Sequence, residues 1–402
     1  MRTGARWAAL VLAMAVVAAA VAAQSEAPVG KQAPAVDKSA PAATATKSEP
    51  AAAATSDAAA TEAKTKEDAM GKKDGGPRKV IVGTSMYAMW GEYPGLEKRL
   101  EQLGGLVDRM SKQAKEKYGR DIDLAAFPEV AVGGGRPLGP KGAIPFAGKV
   151  HDYFAAKARQ HNCYLVVPMV AEETVAGKKV AYNACVLVGR KGELVGTYRK
   201  VHVVAASDNE ILEGGTTPGK DFPVFQCDFG KVGMQICFDI NFDDGWDALG
   251  RKGAELVVWS TQSPGQLRPA FYALRNKYFV LSSTWRNNVS LLDPMGERIR
   301  EIRQVPNAAE NETVMVEEID LEYRLIPWQP TLRNGAALKE KYGDKVGFRY
   351  SEAEDGGIFW SNDPKTPIAA MARELKLSVG NEKVDRDRKL QDAARGGPPS
   401  LD

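Results

Sequence analysis

From residue 78 onward, short continuous apolar runs alternate with longer stretches whose apolar residues recur at helical spacing. Val80, Ile81 and Val82 form the first run, a strand over 79–83, and Leu96, Leu100, Leu103, Val107 and Met110 mark one face of a helix. Residues 124–127 predict the next strand, 150–160 a helix and 164–170 a buried strand. Residues 180–188 and 194–201 read as a hairpin around Arg190-Lys191-Gly192, and the runs 224–225 and 232–238 as short strands joined by Asp228-Phe229-Gly230. Residues 239–245 are poor in structural pattern; a helix over 246–252 and the apolar strand 256–259 follow. A helix over 267–277, a strand over 279–284 and sheet strands over 289–292, 297–302 and 314–319 complete the pattern. Strands alternating with helices, together with hairpins, predict a mixed-sheet layered α/β domain over 78–325. No internal sequence repeat is visible.

The flanks have a different texture. Residues 1–23 carry Arg2 and Arg6, an apolar run from Trp7 and a small-residue end, Ala20-Val21-Ala22-Ala23, the pattern of a signal peptide with an Ala-x-Ala type cleavage site. The alternative is an uncleaved membrane anchor; polar Gln24-Ser25-Glu26 directly after the small residues favour cleavage, hence export to the periplasm or beyond. Residues 24–77, rich in Ala, Pro and Lys and lacking aromatics, cannot bury enough apolar surface to offset ordering entropy and are expected to be a disordered linker. Residues 326–380, with Trp328 and Trp360, form a C-terminal extension expected to pack on the domain or on a partner subunit. Residues 381–402 are polar and expected to be a disordered tail.

Composition narrows the function classes. A chain of 402 residues with 44% hydrophobic content can bury a sizeable core. A net charge of +3 supplies no basic field for nucleic acid. Four cysteines in 402 residues do not make a disulfide scaffold. Cys163, Cys185 and Cys227 lie in or beside apolar runs, as buried thiols do, and Cys237 is expected to be unpaired. No His or Cys pair has ligand spacing, so neither a metal nor another cofactor is expected.

Cys237 ends the predicted strand 232–238, in Gly233-Met234-Gln235-Ile236-Cys237-Phe238-Asp239. A side chain at a strand-to-helix junction projects into the space where α/β proteins bind ligands. The plainer reading is a small buried hydrophobe. A thiol with an ordinary pKa near 8.5 needs a base or a positive field to react. Of the three histidines, His151 and His161 fall on a predicted helix or its end and read as surface or structural, so a cysteine–histidine dyad has few candidates besides His202. A carboxylate and a lysine offer another route. Glu129 follows Phe127-Pro128 at the end of a strand that proline closes, and Lys200 sits in Tyr198-Arg199-Lys200-Val201-His202 at the end of the hairpin. Taken singly, each has a bland reading as a loop carboxylate or a solvated cation.

Together these three blocks resemble the nitrilase superfamily, the carbon-nitrogen hydrolases with a Glu-Lys-Cys triad. The resemblance extends over Thr217-Pro218-Gly219 with Phe222-Pro223-Val224-Phe225, Gly253-Ala254-Glu255-Leu256, Arg275-Asn276 and Asp293-Pro294-Met295-Gly296, spanning about residues 80–320. It implies a four-layer α-β-β-α sandwich, with Glu129 as general base, Lys200 and the backbone N–H of Phe238 as oxyanion donors, and Cys237 as nucleophile. A second glutamate of the family is matched by Glu213, with Glu210 the weaker match. Phe242-Asp243-Asp244 departs from the family's usual stretch after the nucleophile, which bears on the substrate pocket more than on the chemistry.

The implied reaction is hydrolysis of a carboxamide or N-carbamoyl amide through a thioester, or of a nitrile through a thioimidate. The implied partners are that small substrate and a second copy in a homodimer or higher oligomer, with no membrane contact beyond an uncleaved N-terminal segment. Two other readings stand beside it: an inactive secreted binding or scaffold protein on the same fold, and an amide acyltransferase.

Overall fold

The computed structural model describes residues 75–206, 209–305 and 313–400. The expected signal peptide, the expected linker up to residue 74 and the last two residues lie outside them.

The first half of the domain runs β1 (Lys79–Ser85), α1 (Leu96–Tyr118), β2 (Leu124–Ala126), β3 (Ile144–Pro145), α2 (Lys149–His161), β4 (Tyr164–Val175), β5 (Lys178–Val188) and β6 (Leu194–Arg199). The second runs β7 (Val224–Gln226), β8 (Lys231–Ile236), a 3-10 turn (Cys237–Asn241), α3 (Asp243–Arg251), β9 (Leu256–Ser260), α4 (Leu267–Asn276), β10 (Phe279–Ser283), β11 (Asn288–Leu292), β12 (Arg298–Arg303) and β13 (Val314–Asp320). One sheet has the order β13-β1-β2-β4-β5-β6, with the short β3 beside β4, and the other β12-β11-β10-β9-β8-β7. In each, the central strands are parallel (β1, β2, β4 and β8, β9, β10) and the outer pairings antiparallel.

Strand alternation builds the layers. Val80 and Val82 of β1, Leu124 and Ala126 of β2, and Tyr164 and Val166 of β4 share one apolar cluster with Val232, Met234 and Ile236 of β8, Leu256 and Val258 of β9, and Phe279 and Leu281 of β10. The residues between them point the other way. Ile81, Ala125 and Leu165 pack under Leu103, Val107 and Met110 of α1 and Phe154 of α2, whereas Val257, Trp259 and Val280 pack under Trp246 of α3 and Tyr272 of α4. A strand buried on both faces reads as a continuous apolar run, and here each face serves a different layer. The architecture is therefore helix, sheet, sheet, helix, as the family resemblance implied.

Leaving out the short β3 and the two antiparallel edge strands β13 and β7, both halves follow the order β-α-β-α-β-β-β. This repetition of topology has no counterpart in visible sequence repetition. The two predicted turns meet: Arg190, in the hairpin of the first sheet, donates to Asp228, in the turn of the second, at 2.7 Å, and to Asp123 at 2.8 Å.

Beyond the domain, β14 (Arg324–Pro327), α5 (Ala336–Tyr342), β15 (Val346–Ser351), β16 (Gly356–Ser361) and α6 (Ile368–Glu374) form a small layer with the sheet order β14-β16-β15. It has its own core around Leu332, Leu338, Phe359 and Met371. It is joined to the domain through Ile358, which is buried in the inter-sheet cluster, and through Arg349, which donates to Asp293 at 3.2 Å.

Two expectations require correction. Residues 381–402 were expected to be disordered, yet Glu382–Arg395 forms a helix, α7. It buries no side chain, and its support is local, including the i,i+4 pair Lys383–Asp387 and acidic residues in its first turn. Residues 239–245 likewise carry the 3-10 turn and the start of α3. Side chain-to-backbone bonds, which no hydrophobic period records, hold that segment.

Candidate active site

Four chain segments converge at the carboxyl ends of the parallel strands, where open α/β sheets expose their ligand sites. Glu129 follows β2, Lys200 follows β6, Cys237 follows β8 and Glu213 lies in the loop between β6 and β7. Lys200 is 1% exposed, Glu129 2% and Glu213 8%, so the charges form a nearly dry cluster. Lys200 Nζ donates to Glu129 Oε1 at 3.1 Å and also to Glu213 Oε1. Cys237 is partly exposed, and its thiol is within hydrogen-bond reach of Glu129 and Thr261.

The backbone is held in sparsely populated conformations at this point. Cys237 has φ of 41°, Glu213 38° and Val130, directly after Glu129, 50°. For a β-branched or other non-glycine residue such angles cost about 1–3 kcal/mol each, and they persist only where the surroundings over-determine them. Here they do. Trp285 Nε1 donates to the carbonyl of Glu129 at 2.9 Å, Trp259 Nε1 to that of Cys237 at 3.2 Å, and Ser260 Oγ to that of Phe127 at 2.9 Å.

The electrostatics assign protons. Burial, and then the charge of Glu129, push the Cys237 thiol up to about 12, against the downward pull of Lys200 and Thr261. Burial opposes charge on Lys200, but Glu129, Cys237 and Glu213 outweigh it and raise its pKa. Lys200 is thus held as an ammonium and Cys237 as a neutral thiol. A standing thiolate would add a further negative charge to a site with one cation, so a sulfur that attacked a substrate would have to shed its proton as it did so. Glu129 Oε1 is occupied by Lys200 and Asn183, whereas Oε2 has no nitrogen or oxygen partner among the described residues, which leaves that oxygen to receive a proton.

Phe238 is the second residue of the 3-10 turn, where first-turn N–H groups lack intrahelical acceptors. Its N–H, one residue after Cys237, therefore has no acceptor within the turn. Glu210, the weaker match, is exposed, whereas Glu213 joins the cluster. All four cysteines are free. A cleft of about 440 Å³, lined by Gln266, Asn287, Asn288, Arg303 and Gln304, includes none of these groups.

The sequence pattern described as Carbon-nitrogen hydrolase matches residues 93–324, more than half of the chain. The chain belongs to the carbon-nitrogen hydrolase family. It is accordingly an enzyme that cleaves carbon–nitrogen bonds other than peptide bonds. This carbon-nitrogen hydrolase is 27% identical over 247 residues to omega-amidase NIT2 of Xenopus tropicalis, covering 54% of this chain and 83% of that protein. It is 30% identical over 149 residues to beta-ureidopropionase of Arabidopsis thaliana, covering 34% of this chain and 35% of that one. Its fold is similar to that of Saccharomyces cerevisiae Nit3, with a TM-score of 0.50, 19% identity and coverage of 62% of this chain and 92% of the other.

In this carbon-nitrogen hydrolase the structure adds groups that sequence reading passed over. Asn183, on β5, donates through Nδ2 to Glu129 Oε1 at 2.9 Å and to Glu213 Oε2 at 3.1 Å, bridging the two carboxylates. Its signal was a lone amide inside the apolar strand 180–188, since a buried polar group in a strand needs partners. Asp239, fully buried, accepts from Tyr198 Oη at 2.7 Å and from the backbone N–H of Ile236 at 2.8 Å. Its place two residues after Cys237 was visible; its role as a hub was not.

Proposed function

We propose that this carbon-nitrogen hydrolase is an exported enzyme that hydrolyses a carboxamide or N-carbamoyl amide through a thioester on Cys237. The observation that carries the reading is the buried Glu129–Lys200–Glu213 cluster against the Cys237 thiol. Glu129 takes the thiol proton while the sulfur attacks the carbonyl carbon, and the negative charge that develops on oxygen is met by Lys200 and the N–H of Phe238. The protonated Glu129 returns its proton to the nitrogen, which leaves as ammonia or an amine. Glu129 then deprotonates water, whose attack on the thioester releases the carboxylic acid and restores the thiol. Glu213 and Asn183 hold Lys200 and Glu129 in register and leave the reacting atoms to the other groups.

The names of the relatives support the substrate class: an omega-amidase on one side and a beta-ureidopropionase on the other. Export rests on the basic, then apolar, then small-residue pattern of residues 1–23, and recovery of the protein only from the cytoplasmic fraction would count against it. Self-association rests on an apolar face of α4, where Leu267 is 85% and Phe271 49% exposed; a monomer by light scattering would remove it.

The deciding experiment measures ammonia release from simple carboxamides, N-carbamoyl amides and nitriles by the wild-type chain and by Cys237→Ala. Turnover of an amide with an acyl adduct on Cys237, and none in the folded variant, is expected. Full activity of Cys237→Ala, or adducts only on Cys163 or Cys185, would overturn the mechanism.

A further inference from the structure

His202 lies two residues after Lys200, and Asp239 two residues after Cys237; the side chains of this second pair meet. His202 Nδ1 is 3.0 Å from Asp239 Oδ1, and the His202 backbone N–H donates to the same oxygen at 3.1 Å. On the other side of the ring, Nε2 is 3.2 Å from Asp244 Oδ2, in the first turn of α3. The ring stacks on Phe242 with centroids 4.0 Å apart and planes 8° from parallel, and on Phe222 at 5.9 Å. One imidazole therefore spans from the segment that presents the lysine to the middle of the turn that presents the thiol and to the start of α3.

We propose that His202 is a positioning residue: held between Asp239 and Asp244, its doubly protonated ring latches the Cys237–Asn241 turn and the start of α3 to the Lys200 segment. The inference rests on Cys237 and Lys200 as reacting partners.

The two ends of the latch are unequal. Asp239 is fully buried, and its other oxygen is fixed by Tyr198 Oη and the Ile236 N–H, so it cannot turn away from the ring. The Asp244 side chain is 61% exposed and can swing into water. A neutral imidazole has one N–H and one lone pair. When the ring loses a proton, the remaining N–H stays with the immovable Asp239, and Nε2 presents a lone pair to a carboxylate. That contact parts, and Phe242 loses the cationic face it stacks on. The slack falls on the residues that set the Phe238 N–H and the strained Cys237 backbone.

Among the described residues, the charged groups facing the ring are Asp239 from the turn and Asp244 from α3. Phe222 and Phe242 present only ring faces, Tyr198 acts through the far oxygen of Asp239, and Lys200 turns its ammonium to Glu129 and Glu213. Burial lowers the pKa of His202, but the hydrogen bond and charge of Asp239, followed by those of Asp244, outweigh it and raise it. The latch is therefore closed below the ordinary histidine pKa of about 6.5 and opens as pH rises through the higher value of the folded protein.

The test follows kcat/KM against pH in the full chain, together with an NMR titration of the histidine Cε1 protons in Cys237→Ala, where a chain with three histidines gives few signals. The expected result is a fall in kcat/KM with a midpoint that coincides with the His202 titration. Asp244→Asn moves both midpoints down by about half a unit or more, and His202→Asn, which keeps a donor toward Asp239, removes the fall. A midpoint in the rate that stays fixed when Asp244→Asn moves the His202 titration overturns the latch, as does an unchanged profile in His202→Asn. Because Asp244 is exposed, its variant serves even if substitutions of His202 do not fold. A fully active Cys237→Ala would instead overturn the nucleophile, and the latch with it, while leaving the NMR titration in place, so the two failures are distinguishable.

Discussion

Glu129 does two opposed things to Cys237: its charge holds the proton on the sulfur, and its free oxygen is the place that proton can go. Removing the charge without changing shape separates the two. In Glu129→Gln the thiol pKa should fall from about 12 toward the ordinary value, stopping short of it because burial is the larger cause. More thiolate is then present at a given pH, so the midpoint for iodoacetamide labelling of Cys237 should move down. Turnover should nevertheless drop by about two orders of magnitude or more, since the proton acceptor is gone. Labelling and turnover that fall together, with no downward movement of the midpoint, would contradict this assignment. At this scale the sequence was legible where residues end strands: Pro128 before Glu129, the hairpin end at Lys200 and the Gly-Met-Gln-Ile run into Cys237. Asn183 was not, because one amide in an apolar run reads as a blemish until the two carboxylates it bridges are brought from 54 residues and 30 residues away.

Elements place these residues through backbone contacts that tolerate little. Gly219, in the turn after Thr217-Pro218, donates its N–H to the carbonyl of Lys200 at 2.8 Å. A Cβ built there would lie 2.1 Å from the carbonyl oxygen of Arg199. The clash is with backbone, so no side chain can yield to relieve it. Gly219→Ala should displace the Lys200 segment, lowering kcat by tenfold or more and reducing stability by about 1–3 kcal/mol; unchanged kinetics and melting temperature would show that the turn does not register the lysine. The period-2 and period-3.6 signals made most strands and helices of the domain legible, because each apolar face has a layer to meet. The 3-10 turn after Cys237 escaped, since Asp239 and Trp246 hold it through hydrogen bonds. So did α7, a helix without an apolar face, for which pattern has nothing to report.

For the whole molecule, burial ranks the parts. The helix α7 contributes no side chain to any core, so a chain ending at residue 380 should melt within about 2 °C of the full chain. A chain ending at residue 325 should aggregate or unfold, because it loses Ile358 from the inter-sheet cluster and the Arg349 partner of buried Asp293. A lower melting temperature after the first truncation, or an unaltered one after the second, measured by calorimetry, would reverse that ranking. The duplicated β-α-β-α-β-β-β order has a further consequence for the life of the chain. Glu129, Lys200 and the bridging Asn183 all belong to the half synthesised first, Cys237 to the half synthesised second. Neither half carries a complete reaction, and the surface through which they find each other is the same apolar face that each must hide. On the proposed mechanism nascent protein is therefore chemically silent until the two halves have met, and the appearance of activity can serve as a clock for the docking of one sheet on the other.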